Sequence, residues 1–150
     1  MANLMGFGRT PLGAETAVHR GVGKVVLDVR RGLGPRAAFH YTMPVLATSD
    51  HAIKGDPNMV AAGGRAVVKA QQALKRDPSL ATRVGKALFP PAEAALIADV
   101  VARDLPYYDP TISEAAVDGL NRFAQASGLA RTSVPYDQVV ALEFRHLWAA

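Results

Sequence analysis

The sequence predicts an α/β fold in which a helix–strand unit and an extended crossing lead into a series of helices. Three observations predict it. An apolar, β-branched run, KVVLDV, follows a short amphipathic stretch at residues 24–29. A second extended run, AAFHYTMPVLATSDHAIKGDP, occupies residues 37–57. Beyond it, apolar residues recur at helical spacing through most of the remaining chain.

The first unit comprises a short helix and a strand. The helix begins near Glu15, and a glycine, Gly21 or Gly23, ends it. The strand at 24–29 is expected to be buried because its centre is a continuous apolar run. Its exit, RRGLGPR, carries glycines and a proline in close succession and is therefore predicted to be a loop.

Residues 38–48 form the predicted crossing between two bodies of the protein. Aromatic and β-branched side chains favour extended chain there, but Pro44 cannot donate a hydrogen bond to a sheet. Two alternatives follow: two short extended pieces, or one strand that starts near Met43.

Three helices are predicted after the crossing. Each begins at a proline, whose missing N–H needs no partner in the first helical turn; these prolines are Pro57, Pro78 and Pro91. Asp56 supplies the N-cap of the first helix, which runs to about Arg76. This helix contains Gly63 and Gly64, each of which costs about 1 kcal/mol relative to alanine. A close packing contact with a neighbouring backbone would explain them.

The last part of the chain begins with a turn-rich break, LPYYDP, at residues 105–110. Ser113 is a suitable N-cap for the next helix, and Gly128 is a suitable C′ residue to end it. Residues 133–150 hold a final amphipathic stretch.

Composition limits the possible functions of the chain. Its 150 residues, 49% hydrophobic and 20% charged, are ordinary for one globular domain. The net charge of +4 favours acidic partners, but the basic residues are mixed with acidic ones, so nucleic acid is not predicted as a partner. The absence of cysteine excludes disulfides, thiolate metal sites and a cysteine nucleophile.

Candidate ligand-binding residues lie in the crossing. His40, Tyr41 and Thr42 carry donors that suit an anionic or polar ligand, although polar decoration of an edge strand is the simpler explanation for them. No catalytic residue, cofactor or metal site is predicted, because the four histidines lack metal-ligand spacing. Acidic residues of the helices, among them Asp104, are expected on the surface.

No run of the chain is long and apolar enough to predict a membrane span, and the first residues lack the pattern of an export signal. We therefore expect no membrane insertion of this polypeptide.

The order of several motifs resembles the C-terminal half of substrate-binding proteins of ABC transporters for nitrate, sulfonate and taurine, a family that includes relatives for the thiamine pyrimidine precursor. The matching elements are RTPLGAETAVHRGVGKVVLD, HYTMPVLATSDHAIKGDP, AVVKAQQAL and FPPAEAALIADVVARDLPYYDPTIS. They follow the family's order over about residues 9–140.

The resemblance implies a partial periplasmic-binding-protein type II-like fold. About residues 9–38 would be the end of lobe 2, about 39–55 the return hinge crossing, and about 56–150 the helical C-terminal part of lobe 1. Ligand would contact His40, Tyr41 and Thr42 at the crossing, with Pro11 and Glu15 at the facing helix start. Arg9 and Thr10 depart from the family, which usually has Trp and an acidic residue there. The ligand would then differ, or the first residues would not continue the native fold, as in a truncated chain.

The implied function is that of a non-catalytic solute-binding component of an ABC uptake system for a small organic anion or a nitrogen or sulfur source. Its partners would be the small-molecule ligand and, for the full-length parent, an ABC permease. The parent would act in the periplasm or cell envelope, while the compartment of this chain stays open. Two alternatives remain: a fragment of a pyrimidine-precursor synthase-like enzyme of the same fold, or an interaction module that binds no ligand.

Overall fold

The described part of the protein is built from α-helices. The computed structural model describes residues 12–36, 39 and 44–149, and 66% of these residues are helical. These residues contain no β-strand or sheet, so the prediction of an α/β, periplasmic-binding-protein-like fold is wrong. The predicted strand start near Met43 lies outside the described residues.

The predicted strand at 24–29 explains this error. Residues 23–27 have no regular secondary structure, Asp28 forms only an isolated β-bridge, and a short 3₁₀ turn, Val29–Arg31, follows at once. Val26 is 83% exposed, although its run had been expected in the core. A β-branched run becomes a strand only where another strand satisfies its backbone, and this propensity therefore depends on context.

The chain forms two compact units. The described residues of the first are 12–28 and 73–108, and those of the second are 29–36, 39, 44–72 and 109–149. The first unit contains α1 (Gly13–His19), α4 (Ser79–Leu88) and α5 (Pro91–Asp104). The second contains α2 (Asp50–Gly55), most of α3 (Pro57–Arg76), α6 (Glu114–Ala126) and α7 (Tyr136–Val139).

In the first unit, α1 ends as its glycines predicted. Gly21 has φ +70° and donates its N–H to Val18, while the N–H of Val22 reaches back to Ala17. This is the hydrogen-bond pattern of a Schellman motif, which satisfies carbonyls at a helix C-terminus. The side chain of Ala17 is buried.

Helices α4 and α5 pack closely on each other. Ala94 of α5 is only 1% exposed, and a Cβ added to Gly85 of α4 would lie 3.5 Å from the Ala94 Cβ. Small residues at this contact let the two helices approach each other. Asp77 precedes α4, and its carboxylate accepts hydrogen bonds from the backbone N–H and the hydroxyl of Ser79 at 3.0 and 2.6 Å.

In the second unit, α3 contacts two leucine side chains through its glycines. A Cβ on Gly63 would lie 3.4 Å from Leu46 Cδ2, and one on Gly64 would lie 3.4 Å from Leu147 Cδ1. The close contact predicted at these glycines is therefore present, but with side chains rather than with a backbone. Asp56 caps α3 as predicted, accepting from the N–H of Met59 at 2.9 Å.

Helix α6 carries the predicted signals at both ends. The Ser113 hydroxyl accepts the N–H of Ala116 at 3.2 Å, and Gly128, with φ +74°, ends the helix in a second Schellman motif. Its buried face packs in a small core that holds Val68, Ala116, Val117, Val140 and Leu147.

The structure adds α2, a short helix that we had not predicted. Its N-cap is Ser49, whose hydroxyl accepts the N–H of Ala52 at 3.2 Å. No helix in the described residues combines the length and apolar character needed to cross a membrane.

Candidate functional site

Most of the residues predicted to bind ligand cannot be placed. Pro11, His40, Tyr41 and Thr42 lie outside the described residues. Glu15 is described, on α1 of the first unit. Whether the other predicted residues lie near Glu15 falls outside the described residues, and the role of all five stays a prediction.

The Glu15 carboxylate lies in an ion-pair cluster. Its Oε1 accepts a hydrogen bond from Nη2 of Arg103 at 3.1 Å. Arg103 also donates twice to the carboxylate of Asp104, from Nε at 2.7 Å and from Nη2 at 2.8 Å. Asp104, which we expected on the surface, has a side chain only 9% exposed.

The cluster holds Arg103 firmly in its charged form. The hydrogen bond to Asp104 contributes most to raising the pKa of Arg103 above its ordinary value; burial opposes this increase, and Glu15 adds to it. Bidentate contact between a guanidinium and a carboxylate is a strong, oriented interaction. The cluster thus ties α1 to α5, which gives Glu15 a partner inside the chain.

The candidate site is a pocket of about 510 Å³ in the second unit, at the N-terminus of α6. Its walls come from the segment that enters α6 and from the C-terminal part of the chain, and the lining residues are Thr111, Ile112, Ser113, Glu114, Tyr136, Arg145, Trp148 and Ala149.

Hydrogen bonds fix the segment that enters α6. The N–H of Thr111 donates to Oδ1 of Asp109 at 2.8 Å, and Ser113 caps the helix. The hydroxyl of Tyr136 donates to the carbonyl of Ile112. Tyr136 thereby fastens α7 to this segment and forms one wall of the pocket.

The other pocket residues lie in or directly after a 3₁₀ stretch, Leu142–Leu147. Leu147 is buried and lies against Gly64, and it anchors the stretch to the core. Arg145 is exposed and Trp148 is half-buried. Their spacing matches the three-residue turn of a 3₁₀-helix, and the N–H of Trp148 donates to the carbonyl of Arg145 at 3.1 Å.

The pocket offers binding groups for an anion and for a cation. Within the described part of the chain, Arg145 forms no ion pair, so its guanidinium is available to a ligand. The N-terminus of α6 adds the positive end of a helix dipole. The Glu114 carboxylate, in the first turn of α6, is an acceptor for a cationic or hydrogen-bond-donating group on the same ligand.

Sequence reasoning found Ser113 as a helix cap but missed this pocket. Tyr136, Arg145 and Trp148 come together only through packing of the C-terminal stretch. The available signal was the chain's single tryptophan, three residues after an arginine in an amphipathic segment. The described residues contain no cluster of three side chains suited to a metal ion.

Comparison with known proteins gives this chain no relative: no family model matches it, and neither does any curated protein or solved structure. The resemblance to the substrate-binding proteins of ABC transporters therefore rests on the order of its motifs and stays a prediction.

Proposed function

We propose that the protein binds a small organic anion without catalysis, as the solute-binding component of an ABC uptake system of the nitrate, sulfonate and taurine type. The pocket at α6 carries the binding part of this proposal, since it places Arg145, which forms no ion pair in the described residues, beside Trp148. The order of sequence motifs supports the transport part.

Each wall of the pocket has a role in this proposal. The planar guanidinium of Arg145 can donate two parallel hydrogen bonds to two oxygens of a carboxylate, sulfonate or nitrate. The indole of Trp148 offers an apolar surface to the carbon part of the ligand. Glu114 favours an anion that also carries an ammonium group, so an aminosulfonate such as taurine is the preferred probe.

Intrinsic fluorescence tests the proposal directly, because Trp148 is the only tryptophan in the chain. Taurine should change its emission saturably, ethanesulfonate should bind more weakly, and ethylamine should not bind. Arg145→Gln should weaken binding roughly 10- to 100-fold, since a hydrogen bond to a charged group contributes about 1.5–3 kcal/mol.

Arg131→Gln provides the matched control. Arg131 is exposed, lies in the same unit and does not line the pocket. The Arg131→Gln substitution removes the same charge from the protein. The affinity for taurine should stay within about twofold of wild type, because exposed charges contribute little at a distance in physiological salt. Equal losses in the two variants, or no saturable response to any anion, would contradict the proposal.

A further inference from the structure

The segment of residues 24–28, KVVLD, leaves its backbone and its apolar side chains uncovered. Val25, Val26 and Leu27 are all more than half exposed. In the described part of the chain, the N–H groups of Lys24, Val25 and Val26 have no hydrogen-bond acceptor. Free backbone N–H groups and exposed apolar side chains let such a segment pair as a β-strand with another chain.

Both ends of this segment are held. Before it, the Schellman motif of α1 fixes Val22, and Gly23 lies so close to Ala17 that a Cβ would come within 2.9 Å of the Ala17 Cβ. After it, the 3₁₀ turn Val29–Arg31 begins. The segment is thus anchored at both ends, which reduces the entropy that pairing would cost.

The sequence of the segment is complementary to itself. If two copies run antiparallel with Val26 opposite Val26, each Lys24 stands opposite Asp28 of the other copy, and each Val25 stands opposite Leu27. Opposite charges and β-branched or aliphatic pairs are the combinations that stabilise neighbouring antiparallel strands. A shift of the register by one residue would remove both charge pairs.

We propose that residues 24–28 form an antiparallel two-stranded ribbon with the same residues of a second copy of this chain. The ribbon satisfies backbone groups of both copies and brings their apolar side chains into contact. Asp28 also takes part in an interaction inside its own chain, and a carboxylate has lone pairs for more than one donor. Five residues are a short strand, so the dimer is weak and depends on protein concentration.

Charge exchange tests the register by sedimentation velocity over a range of concentrations. Lys24→Asp and Asp28→Lys each place like charges opposite each other twice, and each should dimerise about tenfold more weakly than wild type. A mixture of the two variants restores both charge pairs and should form heterodimers with wild-type strength. The double variant Lys24→Asp/Asp28→Lys should likewise recover self-association.

Cross-linking gives a second measurement that keeps both charges. The chain has no cysteine, so Val26→Cys introduces one thiol on the two-fold axis of the ribbon, where opposite Cβ atoms lie about 5 Å apart. Under mild oxidation it should form a disulfide-linked dimer several-fold faster than Val25→Cys, whose two thiols are offset.

A chain that stays monomeric at every concentration would overturn the proposal. So would equal cross-linking of Val26→Cys and Val25→Cys, or a mixture of Lys24→Asp and Asp28→Lys that associates no better than either alone. If Asp28→Lys fails to fold by circular dichroism, the comparison of the two cysteine variants decides alone.

Discussion

Arg103 connects parts of the chain that lie 88 positions apart, since it contacts Glu15 of α1 from the end of α5. Arg103 also forms an ion pair with the nearly buried carboxylate of Asp104, its neighbour in the chain. Because a buried carboxylate without a partner is costly, Arg103 matters more to folding than to ligand chemistry.

Arg103→Gln should therefore destabilise the protein by about 2 kcal/mol, less than the loss of a fully buried ion pair because the arginine is partly exposed. Glu15→Gln leaves the Asp104 contact intact and should cost under about 1 kcal/mol. Urea unfolding at neutral pH measures both. Equal losses would mean that Glu15, rather than Asp104, is the main partner of Arg103.

Asp77 predicts a pH dependence of stability. The hydroxyl of Ser79 contributes most to holding the pKa of Asp77 below its usual value, and the backbone N–H of Ser79 contributes next. Burial opposes this decrease, and the charge of Arg83 lowers the pKa by the smallest amount. A carboxylate with a lowered pKa in the folded state stabilises the protein above its unfolded pKa, and this contribution disappears as the pH falls through the folded value.

The melting temperature of the wild type should accordingly fall as the pH is lowered from about 5 to about 2. The melting temperature of the Asp77→Asn variant should fall less over the same range, because position 77 then has no carboxylate to protonate. Ser79→Ala retains the backbone donor and should give an intermediate slope. Scanning calorimetry at several pH values gives the three slopes, and identical slopes in Asp77→Asn and wild type would contradict this account.

At the scale of elements, helix ends are the features that local sequence determines best. Gly128 ends α6 with a positive φ, and nothing lies within 4 Å of the position that a Cβ would occupy. Any cost of a side chain there is therefore conformational rather than steric.

Gly128→Ala should destabilise the protein by about 1 kcal/mol because alanine disfavours the left-handed backbone conformation. Gly55→Ala is the matched control: it also has open space around its Cβ position, but its φ is not positive, so it should be neutral or slightly stabilising. Thermal melts of both variants test the difference. A loss of the same size at Gly55 would show that the backbone conformation is not responsible.

Across the whole molecule, sequence predicted what depends on neighbours along the chain. Asp56, Ser113, Gly21 and Gly128 occupy the caps and stops assigned to them because each acts within about four residues of its own position. The α/β fold was wrong because a strand depends on a distant partner, and in the described chain residues 24–27 form no strand while Asp28 forms only an isolated β-bridge.

The pocket was missed for the same physical reason. Arg145 and Trp148 lie at the pocket because Leu147 packs on Gly64, more than eighty positions earlier in the chain, and no periodicity in the sequence reports that contact. Asp104 was wrongly predicted to lie on the surface, because the sequence shows its charge but does not show its burial beside Arg103.

The side chain of Asn121 on α6 acts on the path of the chain before α7. Its amide donates to the carbonyl of Val134 at 2.9 Å and accepts the N–H of Val134 at 3.0 Å, as a neighbouring strand would. Val134 is thereby held to the helix directly, and Tyr136 follows two residues later. Residues inserted between Gly128 and Val134 would lengthen the connection at an entropic cost of only about 0.6 kcal/mol per doubling of its length. Helix α6 and the wall formed by Tyr136 can thus keep their places while this loop changes in length.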